Sequence, residues 1–147
     1  MDLKHKHMMS RFEAASIPFK TQNELYDWFV FLIQDILKMK ILSGPWVKYV
    51  SKEGNKGHTG VTIIETSHVA MHIWDEPTPK IIQFDVYSCA NFDPDQVVLE
   101  LEKIFDVSKK EVLFMDRDKE FKILDWYTHE KESAFRNANR SYVPHAW

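Results

Sequence analysis

The chain is poor in cysteine, in glycine and in long apolar runs, and each shortage removes a class of protein. Cys89 is the only cysteine, so no internal disulfide can form; this excludes a stapled secreted scaffold and points to a reducing compartment. The most apolar stretch, residues 28–41, is interrupted by Gln34, Asp35, Lys38 and Lys40, which rules it out as a membrane span. The opening residues, Met1 to His7, have no apolar run behind their charges and do not read as a signal peptide. A basic excess is also missing: 19 Lys+Arg against 22 Asp+Glu leave a net charge of −3, which argues against a nucleic-acid partner. The expectation is a cytoplasmic protein that engages neither nucleic acid nor membrane. What is present is ordinary for a globular fold, with 44% hydrophobic and 28% charged residues. A chain of 147 residues can close one core unaided.

Three of the four glycines (Gly54, Gly57, Gly60) fall close together and mark residues 51–59 as the one long loop. Apolar residues at three- and four-residue spacings (Leu25, Trp28, Phe29, Leu32, Ile36, Ile41) predict a helix over 21–41. Thr21 and Glu24 form its capping box. Asp93 caps a second helix over 94–105, with Pro94 at its first position and Val97, Val98, Leu101 and Ile104 as its buried stripe. Segments 4–12, 46–50, 61–74, 80–89 and 110–116 are rich in β-formers and read as strands. The order β-α-β-β-β-α-β predicts an α+β fold: a two-layer sandwich with a mostly antiparallel sheet and two helices on one face. The domain is expected to span 1–124. Residues 125–147 mix Trp126, Tyr127, Phe135, Tyr142 and Trp147 with basic and amide residues, have no period, and read as a loose tail or an arm on a dimer partner.

Chemistry concentrates between Gly60 and Cys89. A metal site is not expected, because His68 and His72 are about 13 Å apart along an extended strand. His5 and His7 are about 6.6 Å apart on one face, but no carboxylate or cysteine completes the set nearby. A nucleophilic Ser67 or Cys89 lacks any Gly-x-Ser-x-Gly or cysteine signature. From the residues alone, polar decoration of a half-buried strand competes with both readings.

The run Thr66-Ser67-His68-x-x-x-His72-x-Trp74-x-Glu76, followed by Asp85-x-Tyr87-x-Cys89 and Asp93-Pro94, resembles the small prokaryotic S-adenosylmethionine decarboxylases. That family carries Glu-Ser-His, a histidine four residues on, Trp-Pro-Glu, Asp-x-Phe-x-Cys-Gly and Asp-Pro before a helix. The resemblance implies that Ser67 attacks the Thr66 carbonyl and that the chain cleaves between these two residues. A pyruvoyl group is then left at position 67, whose ketone forms a Schiff base with a small-molecule amine and draws electrons during loss of CO₂. It implies His72 as the base for the serine α-proton, Cys89 as proton donor to the carbanion, and the Thr59 hydroxyl as stabiliser of the tetrahedral intermediate. Glu76 would bind ribose hydroxyls, with Tyr49 the one aromatic on offer for the adenine. His68, Trp74 and Asp85 read as structural. The product would feed polyamine (spermidine) synthesis, and a homodimer is implied.

This chain departs from the pattern at Thr66 (usually Glu), Thr59 (Ser), Asp75 (Pro) and Ala90 (Gly), and has two extra residues around Pro77 to Lys80. Most departures that touch binding lie on the nucleoside side, so another amine substrate such as arginine or ornithine, or a non-catalytic homologue, are the alternatives. One geometric condition follows. Ser67 and His72 differ in parity, so a regular strand sends them to opposite faces; they share a site only if the chain bulges or turns between them, and a perfectly regular strand through both would overturn their pairing.

Overall fold

The computed structural model describes residues 4–131 and the backbone of 139–144. The elements run β1 (Lys6–Ala14), α1 (Gln22–Val30) with a π-helical continuation (Phe31–Ile36), β2 (Ile41–Val50), β3 (Gly57–Ile64), β4 (Ser67–Trp74) and β5 (Lys80–Ser88). After them come α2 (Pro94–Ile104), β6 (Val107–Asp116), β7 (Lys122–Glu130) and β8 (Asn139–Pro144). The eight strands form one sheet in the order β2-β3-β4-β5-β1-β6-β7-β8, with every neighbouring pair antiparallel. Both helices bury their stripes in one core with one face of that sheet, so the fold is the expected α+β two-layer sandwich.

Helix boundaries follow local chemistry. Thr21 accepts the Glu24 N–H at 3.2 Å, and the Glu24 carboxylate reaches back to the Lys20 N–H at 2.9 Å. Asp93 accepts from the Asp95 N–H at 2.9 Å. The first helix stops at Ile36 rather than Ile41: Lys38 takes φ 56°, and Ile41 opens β2. A left-handed backbone cannot continue a right-handed helix, whatever the apolar spacing beyond it.

Three further expectations differ from the structure. Residues 61–74 are not one strand but a hairpin, β3 and β4, closed by the pair Ile64 and Ser67 around a two-residue turn, Glu65-Thr66. The long loop is shorter than 51–59, because β3 begins at Gly57. The expected boundary at 124 falls inside β7, which pairs with β6 from Lys109↔Glu130 to Asp116↔Lys122 and sinks Tyr127 into the core. Residues 125–130 thus belong to the sheet, and β8 pairs beside them. The rest of the 125–147 tail, 132–138 and 145–147, lies outside the described residues. Among the described residues no helix is long and apolar enough to cross a membrane.

The core face carries Met8, Phe12, Val69, Met71, Ile73, Ile82, Phe84 and Val86 against Leu25, Trp28, Phe29, Leu32, Ile33, Val97 and Leu101. Among the described residues no helix covers the opposite face. The register lays out its rows: Trp46, Val61, Ala70, Asp85, Met9, Leu113 and Trp126 form one, and Thr59, His72, Gln83, Arg11 and Glu111 the next.

Candidate active site

The Thr66–Ser67 bond lies at the tip of the β3–β4 hairpin. Ser67 holds φ 137°, a region sparsely populated outside glycine that costs of order 1–3 kcal/mol unless the surroundings enforce it. The surroundings do. The Thr66 carbonyl accepts the Cys89 N–H at 2.8 Å, the Ser88 hydroxyl donates to Thr66 Oγ1 at 2.8 Å, and the Glu65 N–H donates to the Lys40 carbonyl at 2.9 Å. Ser67 lies opposite Ser88 in the β4–β5 register, which puts Cys89 beside the bond. A serine hydroxyl reaches its own preceding carbonyl through a five-membered ring, and an N–H aimed at that oxygen stabilises the charge the attack creates. Ser67 and Cys89, two of the residues singled out in the sequence, are thus brought together. Ser88, buried between them, was not singled out; the signal that could have found it is the hairpin register.

The other pair lies elsewhere. Thr59 and His72 are cross-strand partners on the open sheet face, where the Thr59 hydroxyl hydrogen-bonds His72 Nδ1. Two glycines permit this. A Cβ on Gly60 would sit 2.5 Å from the Phe29 ring, and one on Gly57 1.7 Å from the Ile73 carbonyl, so the strand on both sides of Thr59 depends on close approach. β4 pairs in unbroken register with β3 from Ser67 to His72 and with β5 from Ser67 to Trp74. The bulge that a shared site for Ser67 and His72 requires is absent, so the expectation that these two residues of one chain meet is corrected. Five residues of regular strand separate them by about 17 Å and place them on opposite faces.

Glu76 and Tyr49 do not converge on an open nucleoside pocket. The Glu76 carboxylate accepts the Gly54 N–H at 3.0 Å and the Lys56 N–H at 3.2 Å, tying down the loop between β2 and β3. Tyr49 donates to Asp75 at 2.9 Å; that carboxylate, accepting the O–H, pushes the phenol up. Tyr49, His58, Asp75 and the start of α1 line a cavity of about 460 Å³ on the helix side. Burial lowers His58 there, against the pull of Asp75 and Glu24.

Strand pairing also completes a set that sequence spacing did not reveal. His7, His68 and Asp85 offer ligand atoms within 4.8 Å of one another. His7 Nε2 and His68 Nε2 lie 2.9 and 3.2 Å from the same oxygen, Asp85 Oδ2. The Arg117 guanidinium donates to His7 Nδ1 at 3.0 Å, so the proton of a neutral His7 is on Nε2 and is given to Asp85. A metal-bound histidine presents the reverse arrangement, with its outer nitrogen donating, so these contacts describe a hydrogen-bonded network rather than a metal centre. Burial pushes the Asp85 carboxyl up, but the hydrogen bonds and charges of His7 and His68 together outweigh it and hold the group below its ordinary value.

Comparison with known proteins agrees with this region. The chain is 32% identical over 63 residues to a Methanococcus maripaludis protein named S-adenosylmethionine decarboxylase proenzyme, an overlap of 42% of this chain. The overlap covers 50% of that protein, so the chain spans about half the length of the curated relative it matches. The family model described as S-adenosylmethionine decarboxylase matches residues 19–118, about two-thirds of the chain, and takes in α1, β2 to β5, α2 and β6 with every residue of the hairpin and of the Thr59–His72 pair. The chain belongs to the S-adenosylmethionine decarboxylase family.

Proposed function

We propose that this chain is a self-processing, pyruvoyl-dependent decarboxylase acting on S-adenosylmethionine for polyamine synthesis, and that it works as a homodimer. The observation that carries the reading is the hairpin tip: a serine at positive φ, preceded by a carbonyl that accepts the Cys89 N–H. Ser67 Oγ attacks the Thr66 carbonyl carbon, the C–N bond breaks, and an ester to Oγ replaces the amide. A base takes the Ser67 α-proton, the Cβ–O bond breaks, and Thr66 leaves as a free carboxylate. Water replaces the nitrogen, released as ammonia, and a ketone remains at position 67. That pyruvoyl group supplies an electron sink for an amine substrate losing CO₂. The tip fits it: Cys89 lies beside position 67, where its thiol can hand a proton back.

The base is the difficulty within one chain, and it supports the homodimer. Thr59 and His72 act together, about 17 Å from Ser67 along β4, so the site is complete only if a second copy brings the partner's Thr59 and the partner's His72 to this hairpin. The open sheet face offers apolar surface for that contact, with Trp46 59% and Ile63 48% exposed. A second reading, decarboxylation of another amine such as arginine or ornithine, is favoured by one observation: Glu76 already spends its carboxylate on loop N–H groups.

A denaturing gel tests processing. Fragments of 66 and 81 residues are expected, and Ser67→Ala should stay one band. Release of CO₂ from S-adenosylmethionine, arginine and ornithine separates the two substrates; activity on neither class, or a chain that never cleaves, overturns the enzyme reading. Co-expression tests the shared site. Ser67→Ala and His72→Ala should each stay uncut alone, and together should yield cut His72→Ala chain. Dimers without any cut chain would overturn it.

A further inference from the structure

We infer that Asp85 is a positioning residue for self-cleavage, clamping His68 so that the hairpin tip keeps Ser67 in its strained conformation. The inference rests on the processing reading above. Strain at a hairpin tip persists only if the chain is held on both sides of it. On the N-terminal side the holds are the Cys89 N–H and the Ser88 hydroxyl on Thr66. On the C-terminal side the first residue after Ser67 is His68, and its Nε2 is fixed by Asp85 Oδ2 at 3.2 Å.

That oxygen is itself anchored. It takes the His7 Nε2–H at 2.9 Å, and Arg117 fixes the His7 tautomer from the other side while stacking 4.1 Å over the Tyr87 ring. Tyr87 packs against both imidazoles, with centroids 5.4 Å from His7 and 5.7 Å from His68. Strands β1, β4 and β5 and the residue after β6 therefore converge on one carboxylate beside the bond to be cut. None of these groups touches the reacting atoms, since His68 projects from the sheet face opposite Ser67. Their contribution is geometric. Without the Asp85 bond the His68 side chain is released, the backbone at 67–68 relaxes toward ordinary strand angles, and attack on the Thr66 carbonyl slows.

The test is the rate of self-cleavage of the full chain, followed on denaturing gels after a pulse of cell-free synthesis. His68→Ala and Asp85→Ala should slow cleavage at least tenfold. His68→Gln, whose amide N–H can still reach Asp85, should stay within about threefold of wild type, which a merely space-filling role for the ring does not predict. Folding is checked by thermal melting of the same substitutions in a Ser67→Ala background, where all should keep one cooperative transition. Wild-type rates in both alanine variants overturn the inference while leaving the processing reading intact. His68→Gln as slow as His68→Ala, or loss of the cooperative transition, overturns it as well. A wild-type chain that never cleaves overturns both.

Discussion

Ser67 and Asp85 show how single residues carry consequences out of scale with their size. Asp85 is shared by two imidazoles, and its folded-state carboxyl lies below its unfolded value because their combined pull exceeds the cost of burial. A depressed carboxyl contributes stability above the unfolded pKa and loses it as pH falls through the folded value. The window therefore opens below about pH 4, the ordinary aspartate value. Urea midpoints of the Ser67→Ala chain should fall as pH drops from 5 toward 3, and part of that fall should vanish in Asp85→Asn; identical pH dependence in the two chains would show that the network adds no folding energy. Ser67, Cys89, Thr59 and His72 could be singled out from the sequence because their spacing carries a family pattern. The His7–His68–Asp85 set was not, since sequence separations of 61 and 17 become contacts only through strand register.

At the scale of elements, capped helices were readable and the hairpin was not. The Thr21 and Asp93 caps act within four residues, so their signal is local. The turn at Glu65-Thr66 contains none of the residues that mark two-residue hairpins, and strong β-formers on either side hide it. What holds this turn is tertiary: the carbonyls of Lys40 and Thr66 are engaged by Glu65 and Cys89 from neighbouring segments. The close contact of α1 on β3 is similarly tertiary. Gly60 faces the Phe29 ring at a distance no Cβ tolerates, so Gly60→Ala must push the ring or the strand. Overpacking of this kind costs about 1–3 kcal/mol. A Gly60→Ala chain should melt several degrees lower and hold Thr59 less well against His72. An unchanged melting temperature would mean that α1 can shift freely on the sheet.

The whole molecule answers what happens to a chain cut in its middle. The proposed cleavage after Thr66 would leave β1, α1, β2 and β3 on one fragment and β4, β5, α2, β6, β7 and β8 on the other. In the sheet these alternate. β2 and β3 belong to the first fragment, β4 and β5 to the second, β1 to the first again, and β6 to β8 to the second. Strand β1 is thus inserted between two strands of the other fragment, with nine paired positions on each side. Removing the first fragment would break the β3–β4, β5–β1 and β1–β6 ladders and strip α1 from the core. That amounts to global unfolding, so the cut costs the folded state little beyond the turn itself and releases strain at position 67. The 66- and 81-residue fragments should co-elute on size exclusion in native buffer and part only in denaturant, across one transition that both fragments share. Fragments that separate in native buffer would contradict the interleaved sheet.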